Sequence, residues 1–234
     1  MLILVTGASA GLGLGAACAL AADGHDVVVH VRSRVAAGSH ESPWHGVVDG
    51  DLTDLDQTRS VARRADEFGR FDAVIHNAGA QHPPEAFTVN AVAQYLLTAL
   101  MQKPARLIYL SSSMHRSGST DLRRINRGTV TYSDSKLYVT ALSAALAHRW
   151  TGTVTHAVDP GWVPTRMGGA GAPDDLAAGH QTQAWLATSD VTPATGGYWH
   201  HRTLQKPHPD TQNPAFQQDL LRQLHERAGI RLDG

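Results

Sequence analysis

Tyr132 and Lys136 stand four residues apart in Tyr132-Ser-Asp-Ser-Lys136, so on a helix they share a face and an ammonium lies near a phenol. An isolated tyrosine titrates at about 10, too high to exchange protons efficiently near neutrality, and a nearby positive charge lowers that value. The pair therefore reads as a proton donor with its charge partner. Three further pieces precede it in order, Thr6-Gly-Ala-Ser-Ala-Gly-Leu-Gly13, Asn77-Ala-Gly79 and Ser112. Each is common by itself. Together they describe a cofactor site followed by a proton donor, since a site is argued from several groups with complementary roles.

Gly7, Gly11 and Gly13 follow a predicted strand, Leu2–Val5, and open a predicted helix, Gly11–Asp23. With side chains absent there, the backbone around Ser9, Ala10 and Leu12 and the positive helix end approach a pyrophosphate. The next strand, Asp26–Val31, runs into Arg32 and Ser33 with no acid to hold an NAD ribose. An arginine there pairs with a 2′-phosphate by charge-assisted bonds, which favours NADP(H) over NAD(H); otherwise Arg32 is a solvated surface charge. Asp51 and Leu52 close another apolar run and face the adenine. The small residues of Asn77, Ala78 and Gly79 let backbone pass close to the cofactor ribose.

These residues need a frame. Strand-like runs at Leu2–Val5, Asp26–Val31, Gly46–Val48, Ala73–His76, Arg106–Leu110 and Thr153–Val158 alternate with helical patterns at Gly11–Asp23, Leu55–Phe68, Thr88–Met101, Thr131–Arg149, Leu176–Ala187 and Pro214–Ala228. Such alternation implies crossover connections and a parallel sheet covered on both faces. The expected fold is α/β, a single Rossmann-type doubly wound domain over residues 1–234 with a mostly parallel sheet of about six to seven strands. Residues 1–100 form mainly the cofactor half and 101–234 the catalytic half. Phe216, Leu220, Leu221, Leu224 and Ala228 form a core or interface stripe on the last helix, after a proline-rich connector, Lys206–Pro214.

At 234 residues the chain supports one full core. A net charge of −1 gives no pull toward nucleic acid or an anionic membrane, which points to a small-molecule partner. The lone cysteine, Cys18, excludes an internal disulfide, suits a reducing cytoplasm and suggests a helix face packed on the sheet. The first residues read as a strand, with neither signal peptide nor membrane span. Fourteen histidines lack ligand spacing, so no metal is expected, and His200 and His201 would point to opposite sides of a strand.

From the glycine motif to Pro160-Gly-Trp-Val-Pro-Thr165, the chain resembles the short-chain dehydrogenase/reductase family. The resemblance implies that Tyr132 is the acid/base, Lys136 its partner and Ser112 the residue orienting a substrate carbonyl, with Ser111 and Ser113 as rivals in a run of three serines. It further implies Asn90 as the fourth catalytic member, placed to hold a water that links Lys136 to solvent. Thr165 would hold the nicotinamide carboxamide, with Pro160, Gly161 and Val163 also at the cofactor. Lys136 would bond the nicotinamide ribose as well.

Departures from the family pattern are a short Arg34–Gly46 segment, a compressed Asn77–Asn90 interval and an extra polar loop, Met114–Gly128. That loop, the Val-Arg strand end and the tail Thr195–Trp199 with Lys206–Pro209 are similar to the retinol-dehydrogenase-like branch. Trp162–Ala178, with Trp162 and Met167 as its large apolar groups, is a candidate lid or else a surface loop. The expected activity is NADP(H)-dependent interconversion of a carbonyl and an alcohol on a small to medium apolar substrate. A cyclase, dehydratase or epimerase without net redox, and a non-catalytic NADP sensor, are the alternatives. The resemblance also implies a homodimer or homotetramer through the helices Thr88–Met101 and Thr131–Arg149.

Overall fold

The apolar runs assemble into one sheet of eight strands in the order β3-β2-β1-β4-β5-β6-β7-β8. The computed structural model describes residues 1–33, 43–190 and 193–232. Parallel strands are β1 (Leu2–Val5), β2 (Asp26–Val31), β3 (Gly46–Asp49), β4 (Ala73–His76), β5 (Arg106–Leu110), β6 (Val154–Asp159) and β7 (Gly197–His200). β8 (Thr203–Gln205) returns antiparallel along β7. The count exceeds six to seven because part of the expected tail joins the sheet. His201 and Arg202, both at positive φ, then reverse the chain. That reversal brings the rings of His200 and His201 face to face at 3.9 Å, where unbroken strand alternation would part them.

Successive strand residues alternate between two cores. Ile3, Val5, Val27, Val29, Ile75, Ile108 and Val158 face α1 (Gly11–Ala22) and α7 (Leu176–Thr188). Leu4, Val28, Val74, Leu107 and Tyr109 face the other layer, built from α2 (Leu55–Asp66), α4 (Gln94–Leu100), α6 (Tyr132–Arg149) and α8 (Pro214–Ala228). Coverage on both sides explains why the strands read as unbroken apolar runs. In α1 the buried stripe is Gly13, Ala16, Ala17 and Leu20, so helical spacing turns Cys18 outward; it is exposed, not packed on the sheet.

The stripe on α8 packs as its spacing requires, with Phe216, Leu220, Leu224 and Ala228 buried and Leu221 half-buried. The Phe216 ring lies 6.3 Å from that of Tyr138 on α6, and the Tyr95 hydroxyl on α4 donates to the Ile230 carbonyl at 3.0 Å. The chain's own C-terminal segment thus covers part of α4 and α6, the helices through which the resemblance implies an oligomer. Within one chain α6 is already buried from Asp134 to Leu146.

Three local features position the site. Strand order reverses between β1 and β4, which opens a crevice at the carboxyl ends of the strands. The helix expected from Thr88 begins earlier, with α3 (Glu85–Phe87), and passes through a wide π-helical turn at Thr88–Ala93 into α4. The extra loop holds a 3-10 turn, Ser113–Ser117, and α5 (Arg123–Arg127). Of the short Arg34–Gly46 segment, residues 34–42 lie outside the described part. Among the described residues, no helix is long and apolar enough to cross a membrane.

Candidate active site

A cleft of about 770 Å³ runs along the crevice from the glycine loop to Lys136. Its floor begins at Gly7, held at φ 66, where a Cβ would stand 2.7 Å from Ala78 Cα. At Gly13 a side chain would strike the Asn77 amide and the Gly7 carbonyl. Both positions therefore require glycine on steric grounds. Asn77 clasps the loop: its Nδ2 donates to Thr6 O at 2.9 Å and to Gly7 O at 3.2 Å, while Ala78 N donates to Thr6 Oγ1 at 3.0 Å.

A further clasp comes from His30, a residue that sequence reasoning missed. Its Nδ1 accepts from Gly7 N at 3.2 Å, which leaves the proton on Nε2, 2.9 Å from the Gly50 carbonyl. Burial pushes its pKa down, in keeping with a neutral ring. The only sequence signal was a histidine interrupting a run of valines, and nothing local tied it to Gly7, 23 residues away.

At the outer end stand Arg32, Ser33, Asp51 and Leu52. The Arg32 side chain is 69% exposed, with its Nε 3.8 Å from Asp51 Oδ2. Burial favours the neutral form of Asp51, but hydrogen bonds from the Thr53 amide and hydroxyl, together with Arg32, hold its pKa below the usual value. An exposed guanidinium in so loose a pair remains available to an anionic ligand group.

At the inner end, Tyr132 is the first residue of α6, whose start is fixed by a capping box. Thr131 Oγ1 accepts from Asp134 N at 3.2 Å and Asp134 Oδ2 from Thr131 N at 2.9 Å. The same buried carboxylate accepts from Arg124 Nη1 at 2.9 Å and Ser119 N at 2.7 Å, which ties the extra loop to the turn carrying Tyr132. Ser112 acts on the Tyr132 phenol in the direction that lowers its pKa, and its Oγ accepts from Met114 N at 3.2 Å. Of the three serines Ser111 lines the cleft and Ser112 does not, but the Ser111 hydroxyl is buried against Thr140 Oγ1 at 2.6 Å, and Ser113 is exposed.

Lys136 is buried, with Nζ donating to Leu110 O at 2.7 Å and lying 5.6 Å from the centre of the Tyr132 ring. Burial pulls its pKa down to about 8, opposed by the Asp159 charge. The Tyr132 phenol is not lowered as the helical spacing suggests. Burial pushes it up to about 12, against the lowering influence of Ser112 and reinforced by Asp159. The lysine is directed at a strand carbonyl, and desolvation outweighs its influence on the phenol.

The Asn90 side chain is fully engaged, accepting from Ala80 N and donating to Ala80 O, both at 2.8 Å, and donating to Ser135 Oγ at 2.9 Å. It clamps the compressed interval, so its side-chain N–H groups are not free for a bridging water. Gly79 lies beside both members, since a Cβ there would be 3.3 Å from Asn90 Oδ1 and 3.7 Å from Lys136 Nζ.

Pro160, Thr165, Arg166 and Met167 form part of the cleft wall, as do Gln81 and His82, which no spacing had marked. Thr165 rests on Gly11. Gly161 and Val163 do not line the cleft: Val163 is buried beside Gly179, and Gly161 N donates to Asp159 Oδ1 at 3.1 Å. In the candidate lid Trp162 is 60% exposed, its Nε1 donating to Gly168 O at 2.8 Å, and the final residues from Leu176 already belong to α7.

Comparison with known proteins follows the same outline. The profile of the short chain dehydrogenase family matches residues 1–175. The chain is 34% identical to the short-chain dehydrogenase chyC of Penicillium rubens, across 98% of each chain. It is 30% identical to retinol dehydrogenase 13 of Mus musculus, over 71% of this chain and 59% of that one. Among solved structures, a blue fluorescent protein from a metagenomic library in complex with NADPH superposes with a TM-score of 0.71 at 21% identity, covering 85% of this chain and 95% of that one.

Proposed function

The chain belongs to the short-chain dehydrogenase family, and on that premise we propose that it interconverts a carbonyl and an alcohol on a small to medium apolar substrate, with NADP(H) as hydride carrier. The observation that carries this reading is the meeting of Tyr132 with Lys136 at the inner end of the cleft that the glycine loop opens, with Ser112 acting on the Tyr132 phenol. The residues fit a nicotinamide dinucleotide. Side chains are sterically excluded where a pyrophosphate must approach, and the buried Asn77 Oδ1, on a cleft-lining residue, finds no partner among the described residues.

Gly7 and the stretch Ser9, Ala10, Gly11, Leu12 and Gly13 would hold the pyrophosphate, Arg32 and Ser33 a 2′-phosphate, Asp51 and Leu52 the adenine. Thr165 and Lys136 would hold the nicotinamide end. The bound cofactor supplies or accepts the hydride. Tyr132 gives the proton to the substrate oxygen, Ser112 donates a hydrogen bond to that oxygen as charge develops, and the Lys136 ammonium favours the phenolate left behind. The NADPH complex of the metagenomic protein supports the choice of cofactor, and the names of chyC and retinol dehydrogenase support redox chemistry at a carbon–oxygen bond. The Gly/Ala-rich loop bearing Trp162 and Met167 supports an apolar substrate.

Calorimetric titration with NADPH and NADH tests the cofactor half. NADPH is expected to bind at least about tenfold more tightly, a difference of about 1.4 kcal/mol that Arg32→Ala removes; binding of neither would overturn the reading. On a panel of aldehydes and ketones, NADPH should disappear in step with alcohol formed. Product without NADPH loss would favour the non-redox alternative, and no turnover at all the sensor. Sedimentation tests the homodimer or homotetramer that the family resemblance implies: a species of two or four times 25.0 kDa is expected, and the single chain would mean that α8, which covers part of α4 and α6, closes that face.

A further inference from the structure

Two aspartates are buried among the described residues, Asp134 and Asp159. Asp134 caps α6. Asp159 has no place in the chemistry above, yet it ends β6 at 5% exposure. Both of its oxygens accept hydrogen bonds, Oδ1 from Gly161 N and Oδ2 from the Tyr198 hydroxyl, each at 3.1 Å, as an ionised carboxylate does.

Strand register sets it beside the proton-transferring groups. Lys136 Nζ is anchored on Leu110 O, Leu110 pairs with Val158, and Ser111 N donates to Val158 O at 2.7 Å, so Asp159 is the next residue along. A second connection runs to Ser112. The Tyr198 ring lies 4.6 Å from that of His115, whose Nδ1 donates to Ser112 O at 2.7 Å.

We propose that Asp159 is a positioning residue acting through Lys136: its buried carboxylate, at the end of the strand next to the one that anchors the lysine, is the fixed counter-charge of the ammonium. A charge taken out of water needs a partner, and Asp159 supplies the opposite sign from the neighbouring strand. Its charge acts on Lys136 against desolvation, and on Tyr132 in the direction that keeps the phenol protonated. The titratable groups around the pair are Tyr198 and His200 from β7, His115 from the 3-10 turn and Tyr132 from α6. Arg116 lies over the far side of the Tyr198 ring at 5.3 Å. The electrostatic role stands on this geometry; its catalytic consequence rests on the proposed function.

The chain has three lysines, Lys103, Lys136 and Lys206, so isotope-labelled lysine resolves Lys136 by NMR, with Lys136→Met identifying its signal. In the wild type the signal is expected to titrate at about 8. In Asp159→Asn its midpoint should fall by about one pH unit, while Lys103 and Lys206 stay in place. Tyr198→Phe removes a hydrogen bond but no charge and should leave the midpoint unchanged; Asp159→Glu should restore most of it. An unchanged midpoint in Asp159→Asn, or an equal fall in Tyr198→Phe, overturns the proposal. If Asp159→Asn does not fold, Asp159→Ser makes the same neutralisation with less crowding. Should Lys136 shift as expected in a protein that reduces no carbonyl, the functional reading fails and this one stands. In an active protein the alkaline limb of kcat/KM moves down with the NMR midpoint.

Discussion

With its phenol pushed up to about 12 by burial, Tyr132 keeps its proton across the neutral range, which suits giving a proton to an oxygen. Lys136, pulled down to about 8, changes charge within reach of experiment. Its ammonium is present below that pH and lost above it. Carbonyl reduction is therefore expected to fall as pH rises through about 8, read from kcat/KM against pH. Tyr132→Phe should lower kcat by about 10²- to 10⁴-fold, and Ser112→Ala by about 10²- to 10³-fold, while calorimetry finds NADPH affinity nearly unchanged. If Tyr132→Phe turned over an established substrate at the wild-type rate, the proton-donor role would be lost. The identity and spacing of Tyr132 and Lys136 were legible in the chain, because one helical turn relates them. Their protonation was not, since it depends on burial beneath strands and loops far away in sequence. The run of three serines shows the same limit: what separates Ser112 from Ser111 is Thr140, on another element.

The start of α6 is the element on which the chemistry depends, and its capping box also ties down the extra loop through Arg124 and Ser119. Asp134→Ala should destabilise the protein by at least about 1–3 kcal/mol in denaturant unfolding, because it leaves Arg124 and two backbone N–H groups without their acceptor. It should also raise KM, as the turn holding Tyr132 loosens. α8 makes its contribution by packing. Leu220→Ala is expected to cost about 2–5 kcal/mol, measured as a shift in the denaturant midpoint at constant slope. The helical stripe of α8 was readable from spacing, but its target was not, because an apolar stripe does not say whether it meets its own chain or another. β7 and β8 escaped notice because neither is long or strongly apolar; pairing with β6 and the turn at His201 and Arg202 make them strands. The π-helical turn likewise leaves no mark in composition.

Across the whole molecule, several histidines are buried neutral. His76 and His156 are driven by desolvation to about 3 and about 4 from an ordinary 6.5, and His30 is lowered as well. A depressed histidine contributes stability that is present above its unfolded value and lost as pH falls toward its folded one. The melting temperature should accordingly be level above about 6.5 and decline between about 6 and 4, and a curve flat over that interval would contradict the burial of these rings. The order of the glycine loop, the Asn-Ala-Gly strand end, the serine and the Tyr–Lys pair was determined by sequence alone, and with it the fold class and the kind of chemistry. These signals are local: a missing side chain, a strand followed by a helix, four residues on one helical face. Which groups carry charge, which serine hydroxyl is tied up by Thr140, what holds Gly7 from below and what covers α6 were decided only in the tertiary structure. Each of those depends on partners such as His30 with Gly7, Asn90 with Ser135 or Phe216 with Tyr138, which the fold brings together from distant positions and whose burial no local pattern encodes.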